Sequence, residues 1–190
     1  MAKLIAFSGS SRSGSFNQQL VEVAAEGARK AGAEVTVLNL GDFEMPVFNE
    51  DQEAKNGVPK DVLKLKQLLI NCDGVLIASP EYNSSLSALL KNTIDWVSRP
   101  VEGEKPMEGF RGKVAGIMAA SPGGLGGLRG LVHLRAILQN IGMIVVPAQH
   151  ALRNANKAFD ESGNLTDEKE RSKVHAVGNS VAEVAAKLFD

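Results

Sequence analysis

The sequence predicts an α/β fold in which a five-stranded parallel sheet is wound on both faces by helices. Three observations carry that expectation. Short apolar or β-branched runs alternate with helical patterns along the whole chain. Each run is nearly unbroken, as suits a strand covered on both sides. Finally, 190 residues, 44% of them apolar, build one substantial core but hardly two. One domain spanning residues 1–190 is expected.

The elements follow in order. Lys3 to Phe7 is the first strand, and Phe16 to Lys30 the helix that follows its Ser/Gly-rich loop. The β-branched run Glu34 to Leu38 is the second strand, and Lys60 to Asn71 the second helix, on which Lys64 and Lys66 read as a solvated face. Gly74 to Ser79 is the third strand. Leu86 to Arg99 carries a broad apolar stripe through Leu89, Leu90, Thr93, Ile94, Trp96 and Val97, which reads as a core-facing helix. Lys113 to Ala119, Leu125 to Ile141, Met143 to Val146 and a last helix from about Thr166 to Leu188 complete the alternation. The connections 41–59 and 100–112 are long for plain loops, which suggests covers over a site or contacts between copies.

Composition narrows the partners. A formal net charge of -1 and a pI near 6.3 provide no global field for nucleic acid or anionic lipid, so any ligand is held locally. Cys72 is the only cysteine, which excludes an internal disulfide and fits a reducing, cytoplasmic compartment. The first apolar run ends at Phe7, short of a signal sequence, and no run approaches the ~18 residues of a membrane span. A soluble protein is expected. His133, His150 and His175 are too scattered for metal ligation, and no metal is assigned. Cys72 reads as a small core residue.

In a doubly wound sheet, ligands gather at the carboxyl ends of the strands. The loop after the first strand, Gly-Ser-Ser-Arg-Ser-Gly-Ser-Phe-Asn at 9–17, matches neither familiar phosphate motif. Ser11 stands where a dinucleotide fingerprint needs its second glycine, and Ser15 and Phe16 replace the Lys and Ser/Thr of a triphosphate loop. What remains is a helix mouth with four serines, Asn17 and Arg12. Two readings fit it equally: a turn that caps the helix, or a cradle for a dianionic monophosphate held without metal. Pro-Glu-Tyr-Asn at 80–83 follows the third strand and Ser-Pro-Gly-Gly at 121–124 follows the fourth, so three loops are predicted to meet at one sheet edge.

Those stretches, with Lys-Asn-Thr-Ile-Asp-Trp at 91–96, resemble the NADPH-dependent FMN reductase family, and in particular its bacterial quinone and chromate reductase branch. The resemblance implies a flavodoxin-like sheet of order 2-1-3-4-5, FMN bound non-covalently, and NADPH or NADH as electron donor. It also implies site roles. Ser10, Arg12, Ser15, Phe16 and Asn17 would hold the FMN phosphate and ribityl end. Pro80, Glu81, Tyr82 and Asn83 would contact the isoalloxazine, Glu81 through its backbone. Ser121, Gly123 and Gly124 would lie near the pyrimidine edge, where a helix N-terminus favours negative charge. No side-chain acid or base is required, so no catalytic residue is named. Ser84 departs from the glycine that many members carry and puts the approach to the flavin in question.

The implied activity is transfer of electron pairs from NAD(P)H through FMN to quinones, chromate, azo compounds or free flavin. A flavodoxin-type one-electron carrier is the alternative, but such carriers are strongly acidic and this chain is nearly neutral. Arg129, Arg135 and Arg153 are candidates for the 2′-phosphate of NADPH. On the helix from Leu125, Leu128, Val132 and Ala136 form one apolar face and Leu131, Leu134, Leu138 and Ile141 another. One face covers the sheet, and the second is expected to meet another copy in a homodimer or homotetramer.

Overall fold

A computed structural model describes residues 1–189. Five parallel strands, β1 (Lys3–Ser8), β2 (Glu34–Asn39), β3 (Gly74–Ala78), β4 (Val114–Ala120) and β5 (Ile144–Leu152), lie in the order β2-β1-β3-β4-β5. The helices are α1 (Phe16–Lys30), α2 (Glu50–Asn56), α3 (Lys60–Ile70), α4 (Ala88–Val97), α5 (Leu128–Asn140) and α6 (Glu168–Phe189). One apolar layer joins α1 and α6 to one face of the sheet through Leu20, Ala24, Val177 and Val181. The other joins α3, α4 and α5 to the opposite face through Leu65, Leu69, Leu90, Leu131 and Leu134. The order reverses between β1 and β3, so the loops leaving those strands diverge around a crevice.

The predicted strands differ from the structure in their burial. β1, β3 and β4 are buried almost throughout, but β2 and β5 are edge strands with partly exposed residues. β5 is also longer than predicted. Its pairing with β4 runs Ala115 to Val145 and then Ile117 to Gln149, so the strand bulges around Pro147, whose missing N–H is tolerated at an edge. Arg135 fills that bulge, donating to the carbonyls of Val145 and Val146 at 3.3 and 3.0 Å and to Gln149.

Helix positions also shift. The short α2 lies within the 41–59 connection and buries none of its residues, so it leaves no apolar pattern in the sequence. Lys66 is buried rather than solvated: its ammonium pairs with Glu104 and donates to the carbonyl of Arg99. That pair anchors the 100–112 connection to α3. α1 and α6 cross in close contact at Gly178, where a Cβ would collide with the carbonyl of Ala24. No helix among the described residues is long and apolar enough to cross a membrane.

Candidate active site

Three loops converge because each continues the ladder one hydrogen bond past its strand. Gly9 N–H donates to Ala78 O at 2.9 Å, Ser79 N–H to Met118 O at 2.9 Å and Ser121 N–H to Leu152 O at 3.1 Å. The backbones of residues 9–15, 79–87 and 121–127 therefore depart at adjoining levels of the sheet. Between them lies a cleft of about 270 Å3 lined by Ser10, Arg12, Ser15, Phe16, Asn17, Pro80, Glu81, Tyr82, Ala120, Ser121 and Pro122. A second recess of about 250 Å3, floored by Ser87 to Leu89, shares Ser10, Arg12 and Tyr82 with it.

The α1 mouth is built for an anion. Ser15 is the N-cap, its Oγ accepting from Gln18 N–H at 3.4 Å, while the amides of Phe16 and Asn17 have no partner among the described residues. Arg12 is exposed and forms no ion pair among the described residues. Its guanidinium donates to Ser13 O at 3.0 Å and lies 5.2 Å from the centre of the Phe16 ring. Unfilled amides, a helix dipole and an uncompensated cation thus face one opening.

Asn17 has a more constrained place than a ligand would. It is buried, its Oδ1 accepts from Ala120 N–H and its Nδ2 donates to Ala120 O, both at 2.9 Å. This two-point clamp joins the first turn of α1 to the last residue of β4, and leaves one amide proton uncommitted. Ser87, a residue the sequence reading passed over, makes a similar tie. Its hydroxyl donates to Gly9 O at 2.5 Å and accepts from Leu90 N–H, capping α4 and fixing the first loop to the third strand's helix. The signal was there: a serine directly ahead of an apolar helical run.

The loop after β3 carries the site's one exposed aromatic. Tyr82 and Ser85 exchange two backbone hydrogen bonds around Asn83 and Ser84, whose φ values are 50° and 67°. Both central residues are left-handed, which makes this a type I′ turn. The residue after asparagine is therefore a backbone position favouring glycine, and Ser84 bears on strain in the turn rather than on the cleft wall. Glu81 directs its carboxylate away from the cleft, accepting from Gly130 N–H at 3.1 Å and from Arg129 Nε at 3.0 Å. It caps α5, whose own N-cap residue, Gly127, has no side chain to offer. The α5 N-terminus is thus already engaged by a carboxylate, and less of its dipole is left for a ligand than the sequence reading supposed.

Nine of the twelve expected site residues line the cleft. Asn83, Gly123 and Gly124 do not: Asn83 sits at the exposed turn, and the two glycines lie beyond Pro122 on the exposed part of the next loop. Cys72 is remote, buried with its thiol donating to Leu69 O, and burial pushes its pKa up to about 11. Among the described residues no group of three His, Cys, Asp or Glu side chains is arranged to hold a metal.

Residues 2–157, which include all three loops, match the family model described as NADPH-dependent FMN reductase. The chain belongs to that family. An NAD(P)H-dependent FMN reductase of Pseudomonas aeruginosa is 36% identical over 170 residues, covering 89% of this chain and 87% of the relative. A quinone reductase of Escherichia coli K12 is 32% identical over 169 residues, with 87% and 86% covered. Among solved structures, the NAD(P)H:(acceptor) oxidoreductase FerB of Paracoccus denitrificans superposes with a TM-score of 0.83 at 29% identity, covering 98% of both chains. The sheet order and the 2–157 span set the FMN reductase signature on the cleft-bearing part of the fold, with α6 packed behind it.

Proposed function

We propose that this chain binds FMN in the cleft and uses it to pass electron pairs from NAD(P)H to quinones or similar small acceptors. The observation that carries this reading is the α1 mouth: an unpaired Arg12 beside unfilled backbone amides, opening into a cleft walled by Pro80 and Tyr82. FMN, when bound, supplies the two-electron chemistry that no side chain here provides. The protein's part is to bind and orient. Arg12, Ser10, Ser15 and the Phe16 and Asn17 amides hold the phosphate end, and Pro80, Tyr82, Ser121 and Pro122 border the ring. Gly123 and Gly124, exposed beside the cleft, keep its rim free of side chains. An open rim admits donor and acceptor in turn.

The carrier alternative is disfavoured by a formal net charge of only -1, since one-electron carriers dock on basic partners through a strong acidic charge. The α5 face of Leu128, Val132 and Ala136 is exposed while Leu131, Leu134 and Leu138 are buried, which supports assembly as a homodimer or homotetramer through that face. Cytoplasmic residence fits a lone, buried and unreactive cysteine.

Apoprotein titrated with FMN and riboflavin tests the site. Arg12→Ala should weaken FMN about ten- to a hundredfold, the effect of one charge-assisted hydrogen bond, and leave riboflavin nearly unchanged. Equal loss for both flavins would refute phosphate recognition. NADPH oxidation with and without a quinone tests the activity, chromate, an azo dye and free FMN being compared as acceptors.

A further inference from the structure

Glu81 is the only carboxylate among the residues that line the cleft, and the motif that contains it assigns it a backbone contact alone. Its side chain, only 9% exposed, runs from the cleft wall into the N-terminus of α5. Oε1 accepts from Arg129 Nε at 3.0 Å and lies 2.9 Å from Nη2, while Oε2 accepts from Gly130 N–H at 3.1 Å. One carboxylate thus answers two positive sources, the guanidinium and the open amide end of the helix. Gly127, the N-cap residue, has no side chain to share the second task.

The place of this charge beside the cleft is fixed at several points. Ser85 Oγ and His133 Nδ1 are 3.0 Å apart, one turn further along α5 than Arg129. A Cβ on Gly130 would lie 3.2 Å from Ser85 O, so loop and helix meet backbone to side-chain-free backbone. Between these fastenings Tyr82 and Ser85 close their turn with two hydrogen bonds. The two charges of the pair are screened unequally. Arg129 is 60% exposed and solvent mutes its field, whereas Glu81 acts largely through protein.

We infer that the Glu81 carboxylate sets how strongly reducing the bound FMN is, by cancelling the positive end of α5 and the charge of Arg129 beside the cleft. The inference rests on the reading that FMN occupies the cleft. Reduction by two electrons with one proton leaves the flavin ring more negative, so positive charge nearby favours the reduced form and its cancellation favours the oxidised form. Glu81 therefore lowers the flavin potential. A lower potential widens the range of acceptors that the reduced flavin can serve, and Glu81 bears on acceptor choice without touching an acceptor.

The test compares Glu81→Gln with Arg129→Gln, which break the same ion pair but remove opposite charges. Glu81→Gln keeps an acceptor for Gly130 N–H. At a fixed ambient potential, the reduced-to-oxidised ratio of its bound FMN should rise about two- to fivefold, the effect of one charge at a helix N-terminus, which is a midpoint shift of about +9 to +21 mV for a two-electron couple. Arg129→Gln leaves the carboxylate uncompensated and should shift the midpoint the other way by a smaller amount. Both are read spectroscopically, by reducing FMN-loaded protein against a reference dye of known potential. A merely structural tie moves both midpoints in the same direction. That result, or no shift in Glu81→Gln, would overturn the inference. Fluorescence titration of the parent apoprotein with FMN separates the two readings: without uptake of FMN both fall, and with uptake but without opposite shifts the inference alone falls.

Discussion

Replacing Asn17 with alanine separates a clamp from a ligand. The substitution removes both 2.9 Å bonds to Ala120, whose N–H and C=O lie in the buried end of β4. A buried polar group left without a partner costs about 1–3 kcal/mol and the substitution strands two, so a loss of about 3 kcal/mol is expected. For a domain of this size that lowers Tm by about 6–12 °C. Thermal melts of the apoprotein, followed by circular dichroism, read this directly. FMN affinity should fall as well, because α1 and the Ser121 loop lose their common anchor, but riboflavin affinity should fall with it. An unchanged Tm together with a loss confined to FMN would refute the clamp and return Asn17 to the phosphate.

Ser84→Gly should raise Tm by about 2–4 °C, since relieving a left-handed serine recovers about 1 kcal/mol; a lower Tm would mean that the side chain contributes something the turn geometry does not show. Gly178→Ala should destabilise by about 1–3 kcal/mol in urea titrations, because the new methyl group forces α6 away from Ala24. Burial holds the pKa of His150 below its ordinary value, although Glu170 opposes the shift. The unfolded chain therefore binds the proton more readily, and this residue's contribution to stability falls as pH drops below about 6.5. Melts between pH 8 and 5.5 should show a shallower decline in His150→Gln than in the parent, and parallel curves would contradict the assignment.

Much of this protein is determined by local sequence. The unbroken apolar runs of β1, β3 and β4 and the helical spacing of α1 and α6 reflect periodicities that a chain cannot satisfy in another way. The motifs at 9–17, 80–83 and 121–124 sit at strand ends because turn chemistry ends strands there. Their gathering at one edge follows from parallel winding alone. What local pattern could not determine is where each side chain is committed. Asn17 and Arg12 are both polar residues in one loop, yet the fold sets Asn17 against β4 and leaves Arg12 in solvent. Glu81 caps a helix some fifty residues away in the chain, and Lys66, in a polar-looking segment, is buried beside Glu104. Arg129, Arg135 and Arg153 are indistinguishable as residue types, yet Glu81 engages the first and the β5 bulge the second, while the third has no side-chain partner among the described residues. Hydrogen bonds and ion pairs between distant segments depend on which surfaces the packed sheet brings within 3 Å, and that is a property of the tertiary structure, not of any window of sequence.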